Sequence, residues 1–217
     1  MRPARGFSLV EVLLATALLA SGIALAFGAL ANAARATERA EAVAQRNERL
    51  RAVQAFLRRQ VERAVAQPFE FNENTGDAKV FEVQRDEIRL VAPMPGYLSR
   101  GGPHLQTFRL VRGAEGLRLE FQHELLTPEG PLPNERKPEV LLDGIAEAHF
   151  DVRAFDDQGE PGPWTDRWDA PSQMPRLVRL QLRMREPRAR FPALVVAPRL
   201  GQSPLPVVGA AVVGQSP

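Results

Sequence analysis

From Val12 to Ala34 the chain carries no charged residue, and the run VLLATALLASGIALAFGALANAA is long enough to cross a bilayer as a helix, which takes about 20 residues. From Ala36 to Gln67 glycine and proline are absent, Ala, Glu, Arg and Gln dominate, and Leu50, Val53, Leu57, Val61 and Val65 recur at three- and four-residue steps. That spacing predicts a charged helix with one apolar stripe. Unbroken helix from about Leu9 to Ala66 would be roughly 85 Å long at 1.5 Å per residue, with Gly22 and Gly28 as the places where it could bend. The stripe has to pack on something, and docking onto a globular head of the same chain is favoured over a separate coiled coil.

From about Val80 the period changes to strict alternation. Val178, Leu180, Leu182 and Met184 face one way and Arg179, Gln181, Arg183 and Arg185 the other; Leu117, Leu119 and Phe121 alternate with Arg118, Glu120 and Gln122 in the same manner. These are strands with one buried and one wet face. Phe150 with Val152, Phe108 with Leu110, Ile88 with Leu90, and Val195 with its neighbours predict further strands, separated by turns at Pro93 to Pro103, Pro128 to Pro138 and Asp156 to Pro163. The fold class is therefore α+β: a long N-terminal helix, membrane-spanning in its first half, on a mainly antiparallel β-sheet head. Gly201 to Pro217 mixes Gly, Pro, Ser and Val without a period and reads as a disordered tail.

Composition narrows the function classes. With 217 residues, 44% hydrophobic and 25% charged, the chain fits one domain plus an appendage and is neither wholly disordered nor a multi-span membrane protein. The 28 Lys and Arg against 26 Asp and Glu are interspersed, so no basic stripe marks a nucleic-acid partner. The absence of cysteine excludes disulfides, thiolate catalysis and Cys-ligated zinc.

Three readings of the amino terminus compete: a secretory signal peptide, a plain anchor, and a prepilin leader. Arg2 and Arg5 make a basic n-region and Ala31-Asn32-Ala33 resembles a signal-peptidase site. Against that stands Glu11, inside the apolar segment, where an unpaired carboxylate at the bilayer centre costs about 2.5 to 3.5 kcal/mol. The string Arg5-Gly6-Phe7-Ser8-Leu9-Val10-Glu11-Val12-Leu13-Leu14 ends a short basic leader in glycine before phenylalanine and puts the glutamate fifth from that phenylalanine. It resembles the prepilin cleavage and methylation motif of type IV pilins and type II secretion pseudopilins. The resemblance implies a prepilin peptidase that cuts between Gly6 and Phe7 and N-methylates Phe7. It also implies that Glu11 pairs with the terminal amine of a neighbouring subunit. Losing Arg2 and Arg5 would take the basic side chains from 28 to 26, equal to the 26 acidic ones. Arg2 and Arg5 favour an inside amino terminus, while Arg35 and Arg39 on the far flank are accompanied by Glu38 and Glu41.

Val140-Leu141-Leu142-Asp143-Gly144-Ile145, Trp164-Thr165-Asp166-Arg167-Trp168 and Met174-Pro175-Arg176-Leu177-Val178-Arg179-Leu180 follow in that order. The series resembles the J-type minor pseudopilins of the type II secretion system, from residue 1 to about residue 200; the Pro-rich Pro128 to Pro138 and the tail depart from the family pattern. The resemblance implies a leader at 1–6, a transmembrane half-helix at 7–34, a periplasmic half-helix at 35–67, a β-rich head at 68–200 and a tail at 201–217. It further implies a single-pass inner-membrane protein with a periplasmic head in the pseudopilus tip. The partners would be I-type and K-type minor pseudopilins and the major pseudopilin. A minor pilin of a type IV pilus, or a secreted β-rich hydrolase or binding domain, are the alternatives.

An enzyme would have to find its residues among few candidates. His104 falls in a Gly/Pro-rich turn, His123 and His149 on strands, and His149 and Asp151 share a face at i, i+2; no G-x-S-x-G, H-E-x-x-H, Walker loop or G-x-G-x-x-G accompanies them. Asp156, Asp157, Glu160, Asp166 and Asp169 crowd one loop without EF-hand spacing. No catalytic residue, metal ligand or cofactor is assigned. Trp164 and Trp168 flank Asp166-Arg167 in a loop, where they anchor the loop to the core or, with Arg167, meet a partner.

Overall fold

The computed structural model describes residues 8–72, 76–94, 101–133, 136–187 and 189–199. The chain divides into two compact units, Met1–Glu48 and Arg49–Pro217.

Among the described residues, the first unit is one stretch of helix from Leu9 onward. Helix α1 (Leu9–Glu62) begins there, and helical geometry continues through Gly22 and Gly28. Its start is fixed by Ser8, whose side-chain oxygen accepts the Glu11 N–H at 3.2 Å while its carbonyl accepts the same group at 3.1 Å. Ser8-Leu9-Val10-Glu11 thus has the S-x-x-E spacing of a capping box, with an acid in the first turn where the helix dipole favours it. Leu13, Leu18, Leu25 and Phe27 are all exposed.

In the second unit, α1 from Leu50 to Val61 lies on a sheet. Leu50, Val53, Leu57 and Val61 are buried, as the stripe predicts. The helix stops at Glu62, four to five residues short of the expected end. Pro68 disfavours helix at Gln67, and the Val65 N–H is taken by the Val91 carbonyl at 2.8 Å, so Val65 leaves the stripe for an isolated bridge to the sheet.

The strands are β1 (Glu70–Phe71), β2 (Ala78–Lys79), β3 (Phe81–Gln84), β4 (Glu87–Pro93), β5 (Pro103–Gly113), β6 (Gly116–Thr127), β7 (Gly130–Pro131), β8 (Glu139–Phe155), β9 (Pro161–Thr165), β10 (Leu177–Met184) and β11 (Leu194–Val196). β1 and β2 form a small ribbon; the main sheet runs β11-β10-β8-β6-β5-β4-β3, with β7 beside β6 and β9 beside β8. Every pairing described is antiparallel.

Alternation sorts the side chains as the sequence predicts. Ile88, Leu90, Phe108, Phe121, Phe150 and Leu180 enter the core under the helix. Phe56 packs edge-on against Phe108 and Phe121. In β11 the buried residues are Leu194 and Val196, while Val195 faces out. The last described strand and the first helix meet: Leu57 and Val61 line a small apolar space with Val178, Leu194 and Val196. Gln54 donates to the Pro192 carbonyl at 3.2 Å and Arg58 to that of Val195 at 3.5 Å.

β8 is the longest strand and serves two ladders. Its first half pairs with β6, with register shifts beside Leu119, and its second half pairs with β10 from Ile145 to Arg153. The bend falls at Gly144, whose φ is +63° and whose carbonyl accepts the Arg185 N–H at 2.9 Å. Across from it Gly116, with φ +113°, comes so close that a Cβ there would sit 2.5 Å from the Ile145 carbonyl oxygen.

Two expected turns are strands in part. His104 is the second residue of β5 and is buried; Trp164 lies on β9, paired with Arg153 of β8. The Pro128 to Pro138 segment carries β7, whose ladder with β6 has two pairs. The expected tail at 201–217 lies outside the described residues.

Candidate functional site

Gly6 and Phe7, the expected cleavage and methylation residues, lie outside the described residues. Glu11 lies inside them, in the first turn of α1, and it is the only charged residue between Ser8 and Ala34. The helix containing it is long and apolar enough to cross a membrane, and none of its most apolar 18-residue window is buried. Glu11 therefore has one described role, as N3 of a capped helix. A cap interaction of this type contributes about 1 kcal/mol, less than a buried carboxylate costs in lipid. The Ser8 cap was readable from the S-x-x-E pattern but escaped the sequence reading.

In the second unit, Trp164, Arg167 and Trp168 are set in different surroundings. Trp168 packs against the main core and its indole N–H donates to the Gln173 carbonyl at 2.9 Å. Its backbone N–H reaches the Val83 carbonyl at 3.4 Å, so it ties its loop to the edge of β3. Arg167 is exposed, and its carbonyl accepts the Thr165 hydroxyl at 2.9 Å. Trp164 lies on the face of the sheet opposite the helix, with the Arg153 and Arg179 guanidinium carbons 4.6 and 4.1 Å from its ring centroid. Neither arginine was singled out from sequence; their alternation with Val152, Val178 and Leu180 was the available signal.

That outer face is laced with ion pairs. Arg89 meets Glu82 at 2.9 Å and Glu70 at 3.1 Å, and Lys79 meets Glu70 at 2.8 Å. Arg109 pairs with Glu87, Arg118 with Glu120 and Arg183 with Glu147. The Lys79 ammonium, and less strongly Arg89, hold the Glu70 carboxyl below its ordinary range, and Glu70 in turn raises Lys79. His149 and Asp151 do share a face, with Nε2 and Oδ2 3.3 Å apart. Asp151, however, is buried and bound by Arg179 at 2.9 Å and Gln181 at 3.2 Å. It is built as an ion-pair acceptor inside a sheet, and among the described residues its side-chain partners are Arg179, Gln181 and His149.

The acidic loop is tied up by its own backbone. Asp156 Oδ1 accepts the N–H groups of Gln158 at 2.9 Å and Glu160 at 2.8 Å, and Asp166 pairs with Arg85 at 3.3 Å. Among the described residues no three His, Asp or Glu side chains are grouped to hold a metal.

His104 and His123 stand edge to face across β5 and β6 at 5.3 Å, with Phe121 stacked on His123 at 5.7 Å. Burial, then the nearby His104 and Arg136, push His123 below the ordinary histidine value of about 6.5, with Glu139 acting weakly the other way. The folded state therefore takes up this proton less readily than the unfolded chain, and stability falls as pH drops through about 6.5. The melting temperature should fall on acidification from neutral to mildly acidic pH, and His123→Gln should flatten that slope; an unchanged slope in the variant would remove His123 as its cause.

Comparison with known proteins adds three findings. The family model of the type II secretion system (T2SS), protein J, matches residues 28–190. That of the prokaryotic N-terminal methylation motif matches residues 1–27. The Type II secretion system protein J of Xanthomonas campestris pv. campestris is 37% identical over 201 residues, covering 91% of this chain and 94% of that protein.

Proposed function

The chain belongs to the type II secretion system protein J family, and from that premise we propose that this minor pseudopilin works as a structural subunit of the pseudopilus tip, priming filament growth for protein export across the outer membrane. It is anchored in the inner membrane by α1 and acts with other pseudopilins. The finer assignments belong to the proposal. A prepilin peptidase removes residues 1–6 and methylates Phe7; residues 7–34 cross the membrane; residues 35–67 and the 68–200 head lie in the periplasm. The I-type and K-type minor pseudopilins and the major pseudopilin are its neighbours. No catalysis is assigned to it.

One observation carries this reading: a lone carboxylate, Glu11, five residues from the expected cleavage site, begins a helix whose most apolar 18-residue window is wholly unburied and so open to lipid or to other helices. Hydrophobicity alone inserts that helix, so the carboxylate serves something else. Cleavage at Gly6 would create an amine on Phe7, and a neighbouring subunit's amine is the cation that can neutralise Glu11 within the bilayer. Removing one member of such a desolvated pair strands the other at about 3 to 5 kcal/mol.

Amino-terminal mass spectrometry of the protein from its own host tests the reading directly. N-methylated Phe7 is expected; a terminus near Ala34 would instead identify a removed signal peptide. Glu11→Leu should insert and be cut as well as the unaltered chain, yet co-purify more weakly with the other pseudopilins from membranes and lower secretion. Normal secretion in that strain would eliminate the pairing role.

A further inference from the structure

On the outer face of the sheet, guanidiniums are matched by carboxylates at Arg89, Arg109, Arg118 and Arg183, but not at Arg153. Arg153 makes no ion pair among the described residues, and its Nε is buried without a hydrogen-bond partner. Its one contact of note is the Trp164 ring. Asp151, two residues before Arg153 on the same strand, is bound by Arg179 and Gln181, so of the two guanidiniums stacked on one indole only Arg179 has an acid. A guanidinium that is partly desolvated and lacks an acceptor is costly to hold, and its planar fork suits a carboxylate.

The surroundings say what kind of molecule would bring that carboxylate. In the ladders, Leu177 stands opposite Arg153 and Val195 opposite Arg179. Val195 is 39% exposed and Trp164 and Leu177 are half-buried, so an apolar strip borders the cation. Trp and Arg at a half-dry, partly apolar position are the residue types that dominate binding energy at protein interfaces. A free phosphate would make no use of Val195 and Leu177.

We propose that Arg153, Trp164 and Val195 form a docking surface for an acidic segment of a partner pseudopilin, whose carboxylate pairs with Arg153 while an adjacent apolar side chain covers Val195 and Leu177. This rests on the pseudopilin reading; of the expected contact residues Trp164, Arg167 and Trp168 it keeps Trp164 and adds Arg153 of β8, Leu177 of β10 and Val195 of β11.

The test co-expresses the full-length chain with the other pseudopilins of its own secretion system and measures their recovery from mild detergent at low and high salt. Arg153→Gln should lower recovery of one partner about tenfold and remove most of its salt dependence, and Arg153→Lys should fall between. Melting curves establish that the variants are folded. If the unaltered chain recovers no pseudopilin, the function reading fails. If it does, and folded Arg153→Gln recovers them equally, the docking surface alone fails. Should the variants unfold, a photo-crosslinking residue in place of Val195 decides: crosslinks to an acidic partner segment uphold the proposal, and crosslinks to lipid, to a basic segment or to nothing overturn it.

Discussion

Gly116→Val is expected to destabilise the sheet-containing unit by about 4 kcal/mol or more, a loss read as a fall of roughly 10 °C in the melting temperature of the full-length protein in detergent. Two costs combine. The φ of +113° at Gly116 is a conformation that a β-branched residue adopts only with strain of about 1 to 3 kcal/mol. The new Cβ would also lie 2.5 Å from the Ile145 carbonyl oxygen, and that neighbour is backbone at the bend of β8, with no rotamer to turn aside. Gly116→Ala should lose less but still measurably. At Gly159, also left-handed at +82° but with open space around a Cβ, alanine should cost only the strain. Equal losses at the two positions would show that the β6–β8 approach is looser than described.

Gly6→Val is expected to leave most of the protein as uncut precursor, visible as a slower band and as a chain retaining Met1. Glycine accepts an extended conformation without presenting a Cβ to the narrow site of a membrane peptidase. Because the Phe7 amine would not form, the same variant should also lose whatever Glu11-dependent assembly exists. Arg2→Ala and Arg5→Ala should be cut far more nearly normally, since their charges act on orientation. Processing of Gly6→Val at the normal rate would remove the prepilin reading of this terminus.

The parts of this fold legible in the sequence are those set by neighbours in the chain. Leu50 to Val61 repeat with the helical period and are buried; Val178 and Leu180 alternate with Arg179 and Gln181 and divide between the faces accordingly. What depended on distant partners was not legible. Helix propensity continues past Glu62, but Val91 takes the Val65 N–H. Pro161-Gly162-Pro163-Trp164 has the composition of a turn, yet it forms a short strand on β8 because the ladder needs only a few of its N–H groups. His104 follows two glycines and a proline and reads as loop, although pairing with Ala92 and Leu125 makes it strand. The Trp164 site was half visible: the tryptophan drew attention, but the arginines on its ring come from β8 and β10, and only the fold brings them together.

The meeting of α1 with β11 has a consequence for how the chain reaches its native state. Arg58 and Val195, joined by a hydrogen bond, are 137 positions apart. The stripe that α1 presents from Leu50 onward is thus left without part of its cover until nearly the whole described chain has been delivered. Contacts of such long sequence separation form late and slowly, because the loop they close must be ordered before they contribute. Until then the helix has an apolar flank uncovered, and its protection in that interval would have to come from a chaperone or from another subunit.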